Sequence, residues 1–159
     1  MRRVLVALAV LLAAAGPAAA DDQRDTLLRC LSGSAERHSV PVDALVMIYL
    51  NEGGTLGKSS HNTNNTDDLG PFQINDTWLP RLSAHWNVPQ AFARDLLLNQ
   101  FCANVDAAAW ILRLNLDAAN GDLKEAVGLY HSATPELKNK YLAQMRERFV
   151  AILRGKLHG

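Results

Sequence analysis

Apolar positions recur along most of this chain with a helical period, and one polar stretch interrupts them. Leu27, Leu28, Leu31 and Ala35 mark one face behind Asp25, a residue suited to cap a helix, so the spacing predicts a helix from Thr26 to His38. Pro41 stands where a second helix tolerates proline, in its first turn, and Gly53-Gly54 closes that helix. Residues 55 to 70 carry Gly57, Ser59, Ser60, His61 and then Asn62-Thr63-Asn64-Asn65-Thr66-Asp67-Asp68. Such a stretch cannot pack as core and reads as turns around a small irregular sheet or hairpin. The helical period resumes over Asp76 to His85, Pro89 to Asn99, and a long apolar run from Cys102 to Ala119 that Asn120-Gly121 stops. Asp122 caps a short segment to Tyr130. Thr134-Pro135-Glu136 starts a last helix to about Leu153, with Leu137, Tyr141, Met145, Phe149 and Ile152 on one stripe. The pattern is that of a mainly α domain with one polar hairpin inserted after its second helix.

The first twenty residues stand apart. Arg2-Arg3, the apolar run Val4 to Ala15 and the small residues Ala18-Ala19-Ala20 form the three parts of an export leader, with Asp21 as the expected mature N-terminus. A membrane-spanning helix needs ~20 apolar residues, so cleavage is expected rather than anchoring, and a periplasmic domain over 21–159. Without Arg2 and Arg3 the 16 basic and 16 acidic residues become 14 and 16, a net charge of −2. No basic field for nucleic acid follows from that balance. Cys30 and Cys102 are an even pair in an exported chain, which favours a disulfide. It would contribute ~4 kcal/mol on the chain-entropy model. The five histidines at 38, 61, 85, 131 and 158 show no ligand spacing along any one helix, so neither a metal nor a cofactor is expected.

One acidic residue lies where an acid should not. On the second helix the apolar stripe runs Pro41, Leu45, Ile48 and Tyr49, and Glu52 continues it. Its side chain therefore points inward, at the negative end of the helix dipole. Burial and dipole both disfavour the carboxylate, so its pKa is expected to rise toward the ~6 of a general acid for glycosidic cleavage. Eighteen residues on comes Gly70-Pro71-Phe72-Gln73-Ile74-Asn75, followed by Trp78-Leu79-Pro80. Gln73 and Asn75 alternate with Phe72 and Ile74, as in a short strand whose polar face offers two amides to sugar hydroxyls and N-acetyl groups. Further on, Gly128-Leu129-Tyr130-His131-Ser132 ends a helical segment with an aromatic and two polar groups.

Together these three elements resemble the lytic transglycosylase family, the lysozyme-like domain of bacterial enzymes that cleave peptidoglycan. The resemblance runs from about Cys30 to Phe149. Val40-Pro41 through Glu52 is similar to the family's helix into its catalytic glutamate, and Gly70 to Asn75 is similar to its Gly-x-x-Gln-Ile signature. Tyr130 falls where the family has Tyr-Asn, which implies a hydroxyl orienting the glutamate. Two positions depart: Gly53 stands for the usual serine, and His131 for the asparagine. Glu52-Gly53-Gly54 with Tyr130-His131-Ser132-Ala133-Thr134-Pro135 looks like the branch associated with conjugation and secretion machines.

The resemblance implies an α+β lysozyme-like fold, the polar hairpin lining the cleft, with Glu52 catalytic and Phe72, Gln73, Asn75, Tyr130 and His131 against the glycan. It implies non-hydrolytic cleavage between N-acetylmuramic acid and N-acetylglucosamine, opening the wall for a secretion, conjugation or pilus apparatus. Two rivals are a hydrolytic lysozyme and a non-catalytic glycan-binding assembly factor. The first needs a second carboxylate. Asp67 and Asp68 are the acids available in the loop, and turn chemistry is the better reading of both.

Overall fold

The computed structural model describes residues 17–155. Seven α-helices and one three-stranded sheet make up the described chain. Helix α1, Pro17–His38, is helical well before Thr26, because Ala18 to Ala20 are strong helix formers and Asp25 sits inside the helix instead of capping it. The leader expectation rests chiefly on residues 1–16, which lie outside the described region. No helix among the described residues is long and apolar enough to cross a membrane.

Helix α2, Val42–Glu52, follows Pro41 and ends at Gly53, whose φ of 62° is the left-handed conformation that lets its N–H reach Tyr49 O. Three short strands come next: β1 Ser59–His61, β2 Asp67–Leu69 and β3 Ile74–Asn75. They pair antiparallel in chain order, with Ser60 opposite Asp68 and Asp68 opposite Asn75. The polar stretch is thus the small sheet it was expected to be. A 3-10 turn at Asp76–Trp78 leads into α3, Leu79–Trp86, and α4, Gln90–Asn99. Helix α5, Phe101–Ala118, is followed by α6, Leu123–His131, and α7, Pro135–Leu153. Asp122 Oδ1 accepts from Glu125 N and caps α6 as anticipated.

Helix α5 is the axis of the domain. Val105, Ala107, Ala108, Ala109, Ile111, Leu112 and Leu116 are all buried, so the helix is covered on more than one side. Helices α1, α4 and α6 pack on it, and α7 closes over α2 and α6. The expected stripe of α7 is only partly used: Tyr141 is 3% exposed, whereas Leu137 and Phe149 remain about half exposed at 49% and 48%. Cys30 and Cys102 form the disulfide, with Cα atoms 5.0 Å apart, joining α1 to the first turn of α5. Leu31, Leu45, Ile48, Leu69, Phe72, Ile74, Leu82 and Leu97 complete a core that lies between α5, α2 and the sheet. The fold is mainly α with a small sheet, as the pattern predicts.

Candidate active site

Glu52 is the last residue of α2, and the buried Leu45 and Ile48 of the same face carry it inward. It lies in a cleft of about 750 Å³ whose lining includes Asp68, Gln73, Asn75, Tyr130 and His131. Trp78, Ile111 and the loop residues His61 to Asn64 extend the same cleft. That volume falls in the range of ordinary small-molecule sites. Burial pushes the Glu52 carboxyl up to about 7, opposed by a hydrogen bond from Tyr141 and assisted by the nearby Asp68 charge. Tyr141 Oη donates to Glu52 Oε1 at 2.7 Å. Burial, and then the Glu52 charge, raise the Tyr141 phenol, so it stays a donor.

Tyr130 does not take the part the resemblance implied. Its hydroxyl donates to Phe72 O at 3.1 Å, and Tyr141 of α7 holds the glutamate instead. Tyr130 still lines the cleft, and burial followed by the charge of Glu52 raises its phenol too. His131 lies face to face with Tyr141, ring centroids 4.5 Å apart and planes within 4°. Partial burial lowers the His131 pKa against a smaller opposing pull from the Asp68 charge, which favours the neutral ring.

The amide motif departs from the expected strand. Only Ile74 and Asn75 are extended, because Gln73 has φ +48° and sits in a turn. Phe72 is fully buried and packs on Tyr49 with centroids 5.5 Å apart, so its side chain belongs to the core and not to a glycan surface. Gln73 lines the cleft, with Nε2 donating to Gly70 O at 2.9 Å. Asn75 also lines it, yet its amide is engaged within the loop. Its Nδ2 donates to Thr66 Oγ1 and Asp68 Oδ1, each at 2.8 Å. Its Oδ1 accepts from Thr77 N at 3.2 Å and Thr77 Oγ1 at 2.7 Å. The polar capacity of Asn75 is therefore used to fix Asp68 and the 3-10 turn.

The two loop acids are separated by strand alternation. Asp67 faces away from Glu52, bonded to Arg94 at 2.7 Å and His61 at 2.9 Å, and its pKa is lowered chiefly by the His61 bond. Asp68 points into the cleft. Two close approaches seat this loop against the end of α2 and against α4. A Cβ on Gly54 would fall 2.2 Å from Gly70 O, and one on Gly70 would fall 2.4 Å from Leu97 O. Asn104, fully buried on α5, bridges the loop: Oδ1 accepts from Phe72 N at 2.8 Å, and Nδ2 donates to Leu69 O and Leu97 O at 2.9 Å each.

Sequence reasoning missed Asn104 and Tyr141. A lone asparagine in the apolar α5 run, and a tyrosine on the α7 stripe facing Glu52 across the bundle, were the available signals, since buried polar groups need partners. The chain matches no known family model and no curated protein. The arrangement itself is a carboxyl that can hold or release a proton near neutral pH, set in a cleft with many polar side chains in its walls.

Proposed function

We propose that this protein is a lytic transglycosylase that cleaves the N-acetylmuramic acid to N-acetylglucosamine bond of peptidoglycan, with Glu52 as its acid and base. The observation that carries the reading is Glu52, raised to about 7 in the same cleft as Gln73 and Tyr130. Near neutral pH about half of it is protonated, which suits a group that must first give and then take a proton. Protonated Glu52 donates to the bridging oxygen as that bond breaks. The substrate's N-acetyl oxygen supports the positive anomeric carbon. The Glu52 carboxylate then removes the proton of the muramyl 6-hydroxyl, whose oxygen closes onto the anomeric carbon as a 1,6-anhydro ring. The proton returns to Glu52, and neither water, metal nor cofactor is consumed. Tyr141 steadies the carboxyl through both steps.

A hydrolytic reading has one observation in its favour. Asp68 lies in the same cleft and is fixed by Asn75, while Asp67 is tied to Arg94 and His61. A second carboxylate, if one is used, is Asp68. Digestion of purified sacculi separates the two readings. Fragments lighter by one water than lysozyme products mark the anhydro end, and ordinary reducing ends mean hydrolysis. Glu52→Gln should lower cleavage by ~10²–10⁴-fold, and undiminished cleavage by that variant refutes both. An inactive wild type that still binds glycan supports the assembly-factor reading. The run from Glu52 to Gly54 with Tyr130 to Pro135 supports service to a secretion or conjugation apparatus in the periplasm, reached through the leader.

A further inference from the structure

We propose that His38, His85 and Asp106 form a binding site for a divalent transition ion of the zinc class, tying the ends of α1 and α3 to α5. None of the three lines the Glu52 cleft, so this site is independent of the proposed activity. The histidines are far apart in sequence, and only the packing of three helices brings them together.

One ligand atom from each of the three residues lies within 4.8 Å of the others. His38 Nε2 is 3.0 Å from Asp106 Oδ1. Ligands ~2.1 Å from a tetrahedral ion stand ~3.4 Å from one another, so a small opening of that contact and a turn of His85 suffice. The His85 side chain is exposed, and its ring stacks on Trp110 with centroids 4.4 Å apart. The supporting groups are also in place. Trp86 Nε1 donates to Asp106 Oδ2 at 3.3 Å, which leaves Oδ1 for the ion. Two imidazoles and one carboxylate suit zinc and its neighbours, not magnesium or calcium, which prefer all-oxygen sets.

Arg37 pairs with Asp106 Oδ1, the same oxygen that His38 approaches. The Arg37 guanidinium thus sits against the oxygen that the ion would take. Arg37 is 62% exposed along its side chain and can withdraw into water when a metal displaces it. This gives the proposal a consequence that a simple ion-pair network lacks: removing Arg37 should strengthen metal binding.

The test uses the full disulfide-bonded chain, stripped with chelator and titrated with zinc chloride by calorimetry, with tryptophan emission from Trp86 and Trp110 as a second readout. One zinc per chain at micromolar affinity or tighter is expected. His85→Ala, at an exposed position that should not disturb folding, should raise the Kd by at least ~100-fold. Arg37→Gln should lower it, and His61→Ala, which alters the other histidine–aspartate pair, should leave it unchanged. The site is overturned by no stoichiometric binding in the wild type, by affinity unchanged in His85→Ala, or by affinity lost in His61→Ala. Weaker binding in Arg37→Gln would equally overturn it, by making Arg37 a supporting group and not a competitor.

Discussion

Replacing Glu52 by glutamine should change the pH dependence of stability by an amount the structure specifies. Burial lifts the carboxyl from 4.5 to about 7 in the folded chain. Between those values the folded chain holds a proton that the unfolded chain has released, so stability falls as pH rises through the window and levels off above it. At ~1.4 kcal/mol per tenfold change in proton affinity, the wild type loses about 3 kcal/mol between pH 4 and 8 from this one group. The glutamine does not titrate, and its oxygen can still accept from the Tyr141 hydroxyl. The variant should therefore differ from wild type least at pH 4 and gain about 3 kcal/mol on it by pH 8. Urea unfolding followed by far-ultraviolet dichroism at each pH measures the gap. With a slope of ~1–3 kcal/mol per molar urea, the midpoints should separate by roughly 1–3 M more at pH 8 than at pH 4. Parallel curves at all pH values would refute the reasoning, because they would mean that Glu52 ionises in the fold as readily as outside it. The test needs no substrate, so it judges the electrostatics separately from the proposed activity.

Tyr141→Phe removes the bond that holds the Glu52 carboxyl down, so the alkaline limb of sacculus cleavage, expected near pH 7, should move up by about one pH unit, the equivalent of ~1.4 kcal/mol of lost hydrogen bonding. A limb that stays put or moves down contradicts the assignment. Asn104→Ala leaves Phe72 N, Leu69 O and Leu97 O without their buried partner and should cost about 3 kcal/mol or more, read as a lower melting temperature. Serine at both Cys30 and Cys102 should also lower the melting temperature, by the equivalent of ~4 kcal/mol on the chain-entropy model, while leaving the pH at which Glu52 titrates unchanged.

Local chemistry made most of the elements legible. Pro41 and Gly53 bound α2, Asp122 caps α6, and the run of Asn and Thr from 62 to 66 turns between β1 and β2, each through the backbone preference or local hydrogen bonding of the residue itself. The inward placement of Glu52 was legible for a similar reason, since a helix repeats its faces every three to four residues. What periodicity could not supply was the partner across the bundle. Tyr130 and Tyr141 both stand near the glutamate, and which hydroxyl reaches it depends on how α6 and α7 cross, not on either helix alone. Gln73 and Asn75 read as one polar face by alternation, but the turn at Gln73 breaks that alternation, and Asn75 bonds its own loop. The gathering of His38 and His85 beside Asp106 is tertiary in the same sense.

A carboxyl held near pH 7 works against the fold at the pH where it would act, and the surrounding contacts explain how it is kept in place. The end of α2 is fixed by Gly54, whose N–H donates to Pro71 O at 3.2 Å and whose missing side chain admits the Gly70 carbonyl. That carbonyl receives the Gln73 amide, and the next residues are gripped by Asn104 from the central helix. Helix α5 is in turn fastened to α1 by the disulfide two residues before Asn104. The loop wall of the cleft therefore cannot withdraw from Glu52 to let water relieve it without breaking buried bonds at Asn104 and moving the best-packed helix of the domain. A protonated acid opposite a polar loop would relax by local opening if that loop were attached by surface turns alone. Anchoring the loop to the core, and the core to α1, is what allows the unfavourable burial of Glu52 to persist.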